Sequence, residues 1–266
     1  MACLPESGGC ERHRTDPFVA YLNKLESAHF IHEACLDVLD RTSPQPEALY
    51  CDSSTGAELV IERKTVVWPP DYVAHHRNDH FIAESLSEKL RDLAHGQPLT
   101  IHLDQAPRMR ATEMSTFANE VAASIRASMT SILEGHVIGS NLNGGKWSCY
   151  LDPEERAASD KPTTGLAIRW TYSDETPNTE QLPAKLVDAV RSVFASTVEK
   201  FRSYTHARGI LLLDPHGSIR YTGEWWWSGV FAVAPVPSSI AEVWLAQYNW
   251  VTDNERGWIF ERIHKA

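Results

Sequence analysis

The chain has 266 residues, 42% of them apolar and 23% charged, a globular composition with room for a substantial core. No apolar run approaches the roughly 20 residues of a membrane helix, and Met1 to Arg14 has two glycines, mixed charge and no apolar stretch, so no membrane span or secretory leader is expected and the expected compartment is the cytoplasm. With 25 basic and 35 acidic residues the net charge is −10, which excludes a protein that coats nucleic acid through phosphate neutralisation but leaves room for a local basic groove.

Residues 1–15 read as a frayed tail. A helix is expected from Asp16 to about Asp40, through Phe18, Leu22, Leu25 and Leu36, with Asp16 as its cap and Pro17 at its first position. Pro44 and Pro46 stop it. Two strands, Ala48 to Cys51 and Leu59 to Val67, flank the turn residues Asp52-Ser53-Ser54-Thr55-Gly56, and Pro69-Pro70 ends the second. A helix over Asp79 to Ala94, a strand over Leu99 to Leu103 and a helix over about Glu113 to Leu133 follow. Gly135 to Lys161 reads as irregular, and Leu166 to Tyr172 as a strand.

A long amphipathic helix is expected from Pro183 to about Tyr204, through Leu186, Val190, Val193, Phe194, Val198 and Phe201. The run Ile210-Leu211-Leu212-Leu213-Asp214 has the form of a strand buried on both faces. Strand-like pieces near Ser218 to Phe231, a short helix near Ile240 to Gln247 and a strand near Trp258 to Ile263 complete the chain. Alternating helices and strands give an α/β or α+β class. The five cysteines lack a C-x-x-C pair and read as reduced thiols, mostly buried.

The segment from Pro46-Glu47 to Glu62-Arg63-Lys64 carries the most chemistry. Side chains alternate along a strand, so Glu62 and Lys64 share one face while Ile61 and Arg63 take the other. An even hairpin loop makes paired residue numbers sum to 109 and sets Glu47 opposite Glu62; an odd loop puts Asp52 on that face instead. Either way two carboxylates stand close together beside an ammonium, which is costly unless a cation lies between them. Hard oxygen donors suit Mg²⁺ or Mn²⁺.

Pro46-Glu47 followed by Glu62-Arg63-Lys64 at the end of a hairpin resembles the PD-(D/E)xK nuclease superfamily, the restriction-endonuclease-like fold. The resemblance implies an α/β core of helix, hairpin strands, helix and buried strand, here within a single domain over 16–266 with a large α/β insertion over about 69–182. Pro183–Tyr204 with Ile210–Asp214 would supply the second helix and buried strand; Asp79–Ala94 with Leu99–Leu103 is the other option, and the longer helix and more apolar strand favour the first. It also implies metal-assisted phosphodiester hydrolysis of nucleic acid, DNA first, with a homodimer as one option. Glu47 or Asp52, with Glu62, would hold Mg²⁺ or Mn²⁺. Lys64 would orient water and stabilise charge on the phosphate. Glu33, placed on the preceding helix, would support a metal-bound water, with Glu26 as a weaker option. Two further hypotheses stand beside this one: the same fold with an inactive site serving as a binding module, and a zinc enzyme using His76 and His80.

His75, His76 and Arg77 follow the Glu62-Arg63-Lys64 strand closely and are candidate phosphate contacts; a helix start explains the cluster equally well. Gly139 to Trp147 is not a nucleotide-triphosphate loop, since Ser140 replaces its first glycine and Trp147 its Ser or Thr. Trp225, Trp226 and Trp227 read as core of a terminal sheet, with base stacking as the functional option. Arg108 and Arg110 read as a solvated loop, with a phosphate contact as the functional option. No Gly-x-Ser-x-Gly elbow or Gly-x-Gly-x-x-Gly motif supports a hydrolase of that type or a dinucleotide enzyme.

Overall fold

A computed structural model of the chain describes residues 12–39, 42–93, 99–104, 109–142, 145–151, 166–171, 176–252 and 255–266. The chain divides into two compact units, one built from residues 1–70 and 176–266 and the other from residues 71–175. Each is a mixed α/β arrangement around its own sheet.

In the first unit, helix α1 (Arg12–Glu26) leads into β1 (Phe30–Ala34), the short helix α2 (Leu36–Leu39), β2 (Ala48–Asp52) and β3 (Glu58–Trp68). The chain returns after the second unit with α6 (Ala184–Phe201), β8 (Arg208–Gly217), α7 (Glu224–Val233), β9 (Glu242–Thr252) and β10 (Glu255–Lys265). The sheet order is β1-β2-β3-β8-β9-β10. β1, β2 and β3 are antiparallel neighbours, β8 lies parallel to β3 and to β9, and β10 closes antiparallel on β9.

Both faces of this sheet are buried, which is why Ile210 to Leu213 is a continuous apolar run. Leu59, Ile61, Ile210, Leu212 and Trp244 face Phe18, Val19 and Leu22 of α1. Val60, Leu211, Leu213 and Val243 face Val190 and Phe194 of α6 and Trp227 and Val230 of α7. α1 is anchored at its start, where the Tyr50 hydroxyl meets Thr15 Oγ1 and Asp16 Oδ1, each at 2.7 Å.

In the second unit, α3 (Tyr72–Lys89), β4 (Leu99–Asp104), α4 (Ala111–Ala127), α5 (Met129–Leu133), β5 (Ile138–Leu142), β6 (Gly145–Leu151) and β7 (Leu166–Thr171) follow in order. The sheet runs β5-β6-β4-β7, with β4 and β7 parallel. Ile82, Leu86, Ile101, Phe117, Val121 and Ile125 form its core.

Several elements differ from the sequence reading. The first helix starts at Arg12, carries Pro17 inside it and ends at Glu26. Ser27 takes a positive φ of 54°, and the Asn23 side chain bonds both N–H and C=O of Phe30 (2.9 and 3.0 Å), turning the chain into β1. Gly135 to Lys161 contains β5 and β6, because pairing of β6 with β4 and of β5 with β6 supplies order that local propensity does not. Ser218 to Phe231 is not strand-like beyond Gly217: its second half is α7, which buries Trp226, Trp227 and Val230 and leaves Trp225 74% exposed. The expected helix at Ile240 to Gln247 is instead β9. Its alternation sends Val243 and Leu245 to one core and Trp244 and Ala246 to the other. Cys35 is disulfide-bonded, correcting the reduced-thiol reading for that residue, while Cys51 and Cys149 are free.

Candidate active site

The hairpin of β2 and β3 fixes the register. Ala48 pairs with Ile61, Leu49 with Val60, Tyr50 with Leu59 and Cys51 with Glu58, so each pair sums to 109. The even-loop alternative therefore holds. Glu47 lies just before β2, its N–H donating to the Ile61 carbonyl (3.1 Å) and its carbonyl accepting from Leu36 N–H (3.2 Å). Its backbone thus flanks Glu62. Glu47 itself is half-buried.

Asp52 belongs to the turn at the other end of the hairpin. Its Oδ1 accepts from Ser54 N–H (2.8 Å) and Ser54 Oγ (2.5 Å), and its Oδ2 from His29 N–H (3.2 Å). The Ser54 hydroxyl, followed by the Ser54 and His29 amides, holds its carboxyl down at about 2. Gly56 closes this turn with a left-handed φ of 70°. Asp52 lies beside Ala57, and the five residue steps from Ala57 to Glu62 put it about 16 Å from Glu62. Asp52 is a turn residue here, not a partner of Glu62.

Glu62 is the centre of the arrangement. Its side chain has no exposed surface, and its Oε1 lies 2.7 Å from Lys64 Nζ and 2.7 Å from Lys200 Nζ. Among the described residues its other oxygen, Oε2, is buried without a hydrogen-bond partner. Lys64 comes from β3 two residues on, and Lys200 from the last turn of α6. One carboxylate and two ammoniums leave this triad with a formal charge of +1.

Lys200 is the residue that sequence reasoning missed. A signal was present: Val193, Thr197, Lys200 and Phe201 follow helical spacing on the face that buries Thr197 and Phe201. An ammonium at that position needs a buried acid to meet it.

Glu33 lies elsewhere than expected. It is an exposed residue of edge strand β1, where the pairing with β2 slips between His32 and Ala34. No helix carries it inward. Glu26, the other helix candidate, ends α1 and is tied to Arg208 at 2.6 Å. Arg63 occupies the face opposite Glu62, pairing with Asp214 and lying 5.6 Å from the centre of the Trp258 ring. His216 Nε2 meets the same aspartate at 3.2 Å. His75, His76 and Arg77 all sit on α3 in the second unit. Arg77 is exposed, and the side chains of His75 and His76 lie outside the described residues, as does Arg108. His80 is 3.6 Å from Glu84 in an exposed pair.

Among the described residues no three acidic, histidine or cysteine side chains gather closely enough to form a metal cage. The donor set on hand is smaller. Among the described residues Glu62 Oε2 is a buried hard oxygen without a hydrogen-bond partner, and Glu47 is the acid that the hairpin register sets opposite Glu62. Mg²⁺ is commonly held by one or two carboxylates, with water and substrate oxygens completing its shell, so these residues fit one such ion. They do not fit a three-acid site with Glu33 or Asp52.

No family model, curated protein or solved structure matches the chain.

Proposed function

We propose that the chain is a divalent-metal-dependent nuclease hydrolysing phosphodiester bonds, with DNA as its substrate and Mg²⁺ or Mn²⁺ as its cofactor. The observation that carries this reading is Glu62: a fully buried carboxylate on a hairpin strand, held by Lys64 and Lys200, with one oxygen left for a cation. The order α1, β1-β2-β3, α6, β8, with β8 parallel to β3, also supports the restriction-endonuclease-like core of helix, hairpin strands, helix and buried strand.

Glu62 and Glu47 would hold the ion, which supplies charge neutralisation at the phosphate and a more acidic bound water. Lys64, 27% exposed, would meet a phosphate oxygen and stabilise charge developing there. The burial of Glu62 keeps bulk water from its pairing oxygens, which strengthens each of these interactions. Cleavage of supercoiled plasmid is expected to need Mg²⁺ or Mn²⁺. Lys64→Ala should slow it by about 10²- to 10³-fold, the scale of losing one charge-stabilising donor. Undiminished cleavage by Lys64→Ala, in protein that melts cooperatively, would remove this site from the reaction.

One observation favours a second reading, a nuclease-like fold that binds nucleic acid without cutting it: the missing third acid among the described residues. DNA binding without metal-dependent cleavage is its signature.

A further inference from the structure

We infer that Lys200 is a positioning residue, the resident counter-ion of Glu62, whose presence frees Lys64 to serve the substrate; this assignment rests on the nuclease reading of the same site. A carboxylate with no exposed surface is costly to leave uncompensated. Were Lys64 its sole partner, moving Lys64 onto a phosphate would strand Glu62 whenever no ion is bound. Lys200 removes that conflict, because its Nζ reaches the same Oε1 at the same 2.7 Å.

The two lysines reach that oxygen from different supports. Lys64 is on the strand that carries Glu62, and Lys200 is on a helix packed against that strand's face through Val190 and Phe194. Phe201, the next residue, is buried in the same core, so the backbone that presents Lys200 is held by packing independent of any ligand. With both ammoniums on Oε1, Oε2 carries no hydrogen bond among the described residues.

The test compares the full chain with Lys200→Met and Lys200→Arg. Acylation of Lys64 by acetic anhydride, followed by peptide mass spectrometry, reads how tightly Lys64 is committed to Glu62. In Lys200→Met, Lys64 alone must neutralise Glu62, and its labelling should fall about ten-fold, the scale of a charge-assisted bond. Lys200→Arg keeps the charge and should restore labelling. Metal-dependent cleavage should follow the same pattern in kcat, with KM little changed. Should Lys200→Met fail to fold, Lys200→Gln makes the same comparison. Equal labelling of Lys64 in all variants overturns the assignment. The expected labelling pattern in a protein that cleaves no DNA would uphold the shared-ion geometry and overturn the nuclease reading alone.

Discussion

Glu47 and Asp52, which the sequence offers as alternative partners of Glu62, are separated by the hairpin register. Asp52 is saturated by the turn it closes, which holds its carboxyl at about 2. A carboxyl depressed in the folded state contributes stability above its unfolded value, near 4, and loses it as pH falls through the folded value. Asp52→Asn should therefore melt below wild type at neutral pH, with the gap closing between pH 4 and pH 2, followed by circular dichroism. Metal-dependent cleavage should not change. A gap constant across that range would show that Asp52 does not act through its charge. The thiols divide in a similar way. Burial pushes Cys149 up to about 12, whereas Cys51 is half-buried. Native protein at pH 8 should expose Cys51, and not Cys149, to a disulfide reagent, and denaturant should release Cys149.

At the scale of elements, the sheet is held from both sides, and its most buried strand is the most sensitive. Leu212→Ala removes a fully buried side chain between β3 and β9 under α1, and should cost about 2–5 kcal/mol by denaturant titration. Within α7 the neighbouring tryptophans should behave oppositely. Trp227→Ala should cost about 3–5 kcal/mol, while Trp225→Ala, at a solvent-facing position, should stay within about 0.5 kcal/mol. Similar losses for both would contradict the helical phase of this segment. Arg208 ties three elements together, meeting Glu26 of α1 at 2.6 and 2.8 Å and the buried Glu242 of β9 at 2.5 Å. The bond from Arg208 holds the Glu26 carboxyl below its ordinary range, so this tie is lost as pH falls below that range.

Legibility at this scale followed the source of order. β2, β3, α6 and β8 were readable because their turn chemistry, helical period and apolar run agree with the final packing. Counting turn residues left two registers open, and the pairing of β2 with β3 selects the even one. β9 and α7 were misread because Trp, Val and Ala suit either state and tertiary pairing decided between them. Glu33 was misplaced for a related reason: Asn23 and Ser27 break the helical pattern with a side-chain bond and a positive φ that periodicity cannot register.

For the whole molecule, the candidate site falls within the unit formed by residues 1–70 and 176–266, where strands distant in sequence meet. Glu62 and Lys64 were visible as a local motif. Lys200 lies 138 residues from Glu62, so only the parallel pairing of β3 with β8, and the helix ahead of β8, could bring it there. Among the described residues no helix is long and apolar enough to cross a membrane. A formal charge of −10 for the chain coexists with two lysines gathered on the one buried carboxylate of Glu62.

The central claim is that Glu62 presents a buried oxygen to a divalent cation. Titration of Mn²⁺ into the full chain, with free ion followed by electron paramagnetic resonance, addresses it without relying on turnover. One bound ion in wild type and its loss in Glu62→Gln is the predicted result. Absence of binding by wild type, or binding that Glu62→Gln leaves intact, would contradict the account.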